Sequence, residues 1–264
     1  MEHMKANPLR RRLSQGLWWI GLALIAAGLL GLFASVHMPV PIPVLIGAGV
    51  TALGLNILLS GDLVVGSEPR VFTARGQVVR GELLARAALS DLVVSSGPND
   101  RVASVRYGPI GRPDFHAESG VAHLRLRGGL LRPNIARWQA DLASNVLWDI
   151  DARSSLGDLV LNLRDLRLER VMARTLAGRL AVNCPTRGYV QMRLKTGIGI
   201  VEVRIPPEVG VQVAIRRGEL ATVTIKNERL LALSQRRYTT HDFETAATQI
   251  EIVIESAAGD ILLV

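Results

Sequence analysis

The chain has 264 residues and a formal net charge of +8; 48% of it is hydrophobic, yet only 4% is aromatic and there is a single cysteine. One cysteine excludes an intramolecular disulfide framework. The arginines are scattered along alternating segments without interleaved aromatics, which excludes the usual pattern of a nucleic-acid binder.

Residues 1–16 read as a basic tail, with Lys5, Arg10, Arg11 and Arg12 against Glu2. From Leu13 to Gly61 there is no Asp, Glu, Lys or Arg. Within that stretch, Leu17 to Ser35 is an uncharged run of 19 residues. As a helix it would be about 28 Å long, close to the hydrocarbon thickness of a bilayer. Trp18 and Trp19 open it, where amphipathic rings favour the interface. Val40 to Ser60 is long enough to return. Pro39, Pro41 and Pro43 between the two runs break any continuous helix. The expectation is a two-helix transmembrane hairpin over 17–60, packed on itself or on another membrane protein through Ala23, Ala27, Gly31, Gly47 and Thr51. Arg10, Arg11 and Arg12 precede it, its loop has no Lys or Arg, and Arg70, Arg75 and Arg80 follow it. By the positive-inside rule the protein is a multi-pass inner-membrane protein with both termini cytoplasmic. A cleaved signal peptide is the rival reading of the first run.

Residues 61–81 read as linker and first strand, and 82–264 as a repeat domain. Arg153-Ser154, Arg174-Thr175 and Lys195-Thr196 recur at steps of 21 residues, each followed by a glycine: Gly157, Gly178 and Gly199. Arg216 falls at the next step. Period-two alternation flanks each unit, as in Leu159-Val160-Leu161-Asn162-Leu163 and Leu180-Ala181-Val182-Asn183-Cys184. Such alternation marks strands with one buried face, and the glycine supplies a turn with positive φ. Residues 85–93 parallel 152–160, and Glu255-Ser256 with Gly259-Asp260-Ile261 closes the chain in the same way. The spacing predicts a right-handed parallel β-solenoid of about 21-residue coils, with a β-sandwich as the alternative. Leu159, Leu180 and Val201 would form one inward ladder, and Leu161, Val182 and Val203 the next. Cys184 falls in the buried phase. The spacing of Ile135, Trp138, Leu142 and Val146 predicts a short helix within Gly128 to Leu147. Leu230 to Ala246 reads as a protruding loop, and Ile261 to Val264 as a strand held in the sheet or covered by a partner.

No chemistry emerges from the remaining motifs. The five histidines have no metal-ligand spacing to Cys or to one another. Gly197-Ile198-Gly199 leads into a strand rather than the helix a dinucleotide loop needs. No catalytic, metal or cofactor residue is expected, and the chain reads as non-enzymatic. The densest basic stretch of the soluble part is Arg125, Arg127, Arg132 and Arg137. These four are candidates for contact with anionic lipid or an acidic partner.

Several pieces together resemble a known group: the N-terminal hairpin, Trp148-Asp149-Ile150, Gly157-Asp158-Leu159-Val160-Leu161, Thr196-Gly197-Ile198-Gly199 and the terminal Gly259-Asp260-Ile261-Leu262. The chain resembles bacterial proteins with a LiaF-like C-terminal domain (the cell-wall-active-antibiotic response family) and the related toastrack-type adhesin domains. The likeness covers roughly residues 140–264. It implies a membrane-anchored scaffold or regulator whose cytoplasmic β-domain binds a protein partner, a sensor kinase in envelope-stress signalling. A self-assembling, homo-oligomeric element and a surface adhesin-like domain are the alternatives.

Overall fold

Alternating aliphatic and polar residues bury one face only by lying in a sheet, and in the computed structural model every element among the described residues is a strand. It describes residues 70–74, 77–88, 90–107, 113–127 and 137–264. The expected basic tail, the membrane hairpin over 17–60 and the first part of the linker lie outside the described residues, as do Arg10, Arg11, Arg12 and Arg132. Among the described residues no helix is long and apolar enough to cross a membrane.

Fifteen strands form one hydrogen-bonded system: β1 (Arg70–Phe72), β2 (Arg80–Ala87), β3 (Leu92–Gly97), β4 (Ala103–Arg106), β5 (Asp114–Glu118), β6 (Val121–Arg127), β7 (Trp138–Ala143), β8 (Leu147–Leu156), β9 (Leu159–Asn162), β10 (Arg167–Asn183), β11 (Tyr189–Arg204), β12 (Gly210–Ile225), β13 (Leu230–Ser234), β14 (Arg237–Thr240) and β15 (Gln249–Leu263). Most pairs are parallel and offset by the sequence repeat. Arg174 pairs with Arg153 on one side and Lys195 on the other, and Gly178 pairs with Gly199.

β10, β11 and β15 each change phase at the corner glycine, whereas β12, with a register shift between Arg217 and Leu220, keeps its phase. In β10 the buried positions are Val171, Ala173 and Thr175 before Gly178, then Leu180 and Val182 after it. The strand therefore turns a corner there and buries opposite parities on its two sides. One run of sheet carries the pairs β5–β6–β2–β8 and the first halves of the long strands. The other carries β1–β4–β7–β3–β9 and their second halves. Gly157, Gly178, Gly199 and Gly259 line the corner with φ between 108° and 141°. The inward hydroxyl just before the corner steadies it: Thr175 Oγ1 donates to Ala177 O at 3.3 Å and Ser256 Oγ to Ala258 O at 3.5 Å.

Parallel register turns the repeat into rows of identical side chains. The expected ladder Leu159, Leu180, Val201 is present and extends to Leu92 and Trp138 at one end and Ile261 at the other. Leu161, Val182 and Val203 form the next row, which Leu263 continues. These side chains are buried, and each contributes about 1.5–3 kcal/mol of hydrophobic stabilisation. Trp148 fills the space above Gly81, where a methyl group would lie 2.4 Å from its ring, and its Nε1 donates to Ala143 O at 2.8 Å.

The stacking order departs from chain order at both ends. β15 lies between β11 and β12, so the C-terminal strand is inserted between two earlier ones. Likewise β2 and β3 lie between β8 and β9 on one side and β6 and β7 on the other. Antiparallel strands finish the stack: β5 on β6, β4 and β1 beyond β7, and the β13–β14 hairpin on β12.

Two expectations are corrected. Residues 138–143 are a strand, not a helix: Trp138, Ala140 and Leu142 are buried at period two. The four-residue spacing of Trp138 and Leu142 satisfies both periods, and pairing with β3 decides for the strand. Leu230 to Ala246 begins as a paired hairpin, not a protruding loop. Tyr238 pairs with Val213, and Thr240 accepts from Val211 N through its buried hydroxyl at 3.0 Å.

Candidate binding surface

Neighbouring strands lie about 4.8 Å apart, so parallel register also aligns the outward side chains in rows. The row just before the corner is basic. It begins with Arg127, Arg86, Arg153 and Arg174. It continues through Lys195, Glu255 and Arg216. Six cations thus face one carboxylate in line. Arg153 binds Asp151 through Nε at 2.8 Å and Nη2 at 2.7 Å. Lys195 Nζ lies 2.9 Å and Arg216 Nη1 3.8 Å from Glu255. The Lys195 ammonium, bonded to Glu255, holds that carboxyl below the usual glutamate range despite some burial. Arg86, Arg127 and Arg174 are exposed and have no ion pair among the described residues.

Immediately beyond this row, the corner carries aliphatic side chains in water. Leu176 is 60% exposed, Ile198 66%, Leu220 79% and Leu156 49%. Register aligns three of them, with Leu156 paired to Ala177, Ala177 to Ile198, Ile198 to Ala258 and Ala258 to Leu220, and Leu176 precedes Ala177, a member of that row. An open depression of about 380 Å³ lies where the two rows meet, lined by Arg86, Arg153, Arg174, Ser155 and Leu176 among others.

Past the corner the outward chemistry changes. Arg179 and Asp260 both flank Ile200, and Thr222 bonds Asp260. Asp158 accepts from the Arg179 backbone N–H at 2.9 Å. Glu202 is clamped by two cations, Arg179 through Nη2 and Arg204 through Nε at 2.8 Å. The hydrogen bond from Arg179, aided by Arg204, outweighs burial and holds the Glu202 carboxyl below its ordinary value. Asn183 Nδ2 donates to Asn162 Oδ1 at 2.6 Å, one rung of a polar row on the same side.

The candidate basic residues separate. Arg125 and Arg127 project from β6 and are exposed. Arg137 is exposed at the entry to β7, in the other run of sheet. Arg132 lies outside the described residues. Arg127 therefore joins the basic row, and its row partners are residues that sequence reading took only as turn markers. The repeat step itself was the missed signal, because a cation at every step becomes a line of cations once the strands stack.

A second grouping escaped sequence reading. His116 and His123 stand directly opposite across the β5–β6 hairpin. His116 Nε2 lies 3.2 Å from Glu118, and the part-exposed His123 has Nδ1 3.0 Å from Glu82. The signal was Ser119-Gly120, both at positive φ, the two-residue turn that fixes such a register. Among the described residues no group of three or more His, Cys, Asp or Glu is placed to hold a metal. Cys184 is fully buried, and burial pushes its thiol up to about 12.

No protein-family model and no curated protein matches this chain. A solved structure does: a candidate cell adhesion protein from Clostridium sporogenes superposes with a TM-score of 0.66 at 16% identity, covering 75% of this chain and 98% of that one. At that identity the likeness establishes the all-β fold alone. A candidate adhesin from Bacteroides fragilis matches at a TM-score of 0.30 and 8% identity, too weak to carry an argument.

Proposed function

We propose that this β-domain is a non-catalytic recognition module of the adhesin-like kind, closed as a right-handed solenoid of about 21-residue coils. The observation that carries the reading is the straight alignment of outward side chains across parallel strands. A framework of this type holds many weak contacts at fixed spacing, which suits recognition of a partner surface. Charged groups lie in rows on that framework, and the reading assigns no reaction to them. The fold likeness to a candidate cell adhesion protein supports the same class of role.

A second reading keeps the module inside the cell as a regulator that restrains a sensor kinase in envelope-stress signalling. It is favoured by Arg10, Arg11 and Arg12 before the uncharged segments and by the absence of Lys and Arg between them. In both readings the segment over 17–60 anchors the chain in the inner membrane.

Topology separates them. Cys184 is fully buried, so with Cys184→Ser as background a single Gln235→Cys variant reports the location of the β13–β14 turn. Labelling of intact cells by a membrane-impermeant maleimide supports the adhesin-like reading. Labelling only after permeabilisation overturns it in favour of the regulator.

A further inference from the structure

We infer that the corner of the fold, with its basic row and its aliphatic ridge, is a docking face for an anionic lipid bilayer. The inference stands apart from the recognition reading, because a module of either topology has a membrane beside it if the chain is anchored.

Two independent features meet on this edge. The first is charge. Arg86, Arg127 and Arg174 have no ion pair among the described residues, and Lys195 and Arg216 share a single carboxylate. The nearby acids are few: Glu255 and Asp151, each already engaged, and Glu219 beside Leu220. The second is the ridge. Leu156, Leu176, Ile198 and Leu220 run parallel to the cations at 49–79% exposure. A large exposed apolar row beside a polar rim marks an interaction surface. A hydrated polyanion would gain from the cations and nothing from the leucines. An anionic bilayer uses both, with phosphates on the guanidinium row and aliphatic tips below the headgroups. Beyond the corner, Asp158 and the exposed Asp260 disfavour the same contact, so docking has a defined orientation.

The test uses the full chain in vesicles, with one fluorophore placed on a cysteine introduced into a Cys184→Ser background. Ala257→Cys puts the label on the ridge; Ala257 is exposed and precedes Ala258, the register partner of Ile198. Thr224→Cys puts it on the other run of sheet, where Thr224 is exposed. The readout is quenching by nitroxide-bearing lipid. With phosphatidylglycerol in the vesicles, the ridge label is quenched and the label at 224 is not. In pure phosphatidylcholine, or at high salt, ridge quenching falls to the level at 224. The triple variant Arg86→Gln, Arg127→Gln, Arg174→Gln loses docking by on the order of a hundredfold, about fivefold per cation. Leu220→Ser weakens docking without changing the charge, and unchanged circular dichroism verifies the fold of each variant. Equal quenching at both sites, or ridge quenching indifferent to lipid charge and to the arginines, overturns the inference. Loss of ridge quenching in every lipid would do the same, while leaving the recognition reading to its own topology test.

Discussion

Replacing Gly199 with alanine adds one methyl group at one of the tightest points of the stack. Its φ is 141°, a region that side chains rarely adopt, and the new Cβ would lie 2.0 Å from Gly178 O on the adjacent strand. The conformational cost at such a position is about 1–3 kcal/mol. Relief of the clash needs the strands to part by more than an ångström, which is an overpacking cost of about 1–3 kcal/mol. Reduced freedom of the unfolded chain returns only about 0.4–1 kcal/mol. The expected net loss is therefore about 1–5.6 kcal/mol, centred on about 3 kcal/mol. Gly188 is the matched control: its φ is 88°, but no neighbour lies within 4 Å of an added Cβ. Gly188→Ala should cost about 1–2 kcal/mol from conformation alone. The assay is chemical denaturation of the full chain, followed by tryptophan fluorescence from the buried Trp138 and Trp148. Equal losses for the two variants would refute the argument that backbone contact across the corner selects glycine.

Three further outcomes follow from the geometry. Trp148→Ala should destabilise the fold by about 3–5 kcal/mol, because it empties the space over Gly81 and strands Ala143 O; thermal unfolding checks it. Glu202 has a lowered pKa in the folded state, so its stabilising contribution is fully present above its ordinary range and is lost as pH falls through the lowered value. Glu202→Gln should accordingly be less stable than the parent at neutral pH and lose less stability on acidification, as read by urea titrations at several pH values. Cys184, with its thiol pushed up to about 12 by burial, should resist a thiol reagent at pH 8 in the native protein and react at once in denaturant; rapid native labelling would contradict its burial.

Much of the fold was legible in the repeat, because a parallel stack must return to the same side chain each turn. The inward rows through Leu159 and Leu161, the corner glycines and the match between Ala85-Arg86 and Ala152-Arg153 all follow from the 21-residue step. Strand order was not legible. Every unit presents nearly the same aliphatic row to its neighbours, so β15 fits between β11 and β12 as well as it would fit at an end. Periodicity failed at Trp138 and Leu142, because two apolar residues four apart satisfy a helix and a strand equally. The hairpin at 230–240 was hidden by exposure: four of the five β13 residues are exposed, so pairing leaves no alternation. The basic row was hidden for another reason. A cation beside a turn looks like solvation until register places five others in line with it.

The central claim is that register, with the C-terminal strand inserted between two earlier ones, brings equivalent residues into rows. Disulfide cross-linking in the full chain, with Cys184→Ser as background, tests it most directly. Glu251 pairs with Gln191 on one side and Gln212 on the other. Adjacent strands at about 4.8 Å lie within the roughly 4.4–6.8 Å Cα window of a disulfide, whereas a separation of about 9.6 Å does not. Cysteine pairs at 191 and 251, and at 251 and 212, should cross-link under mild oxidation, and the pair at 191 and 212 should not. Efficient cross-linking of 191 with 212, with 251 inert to both, would contradict the account.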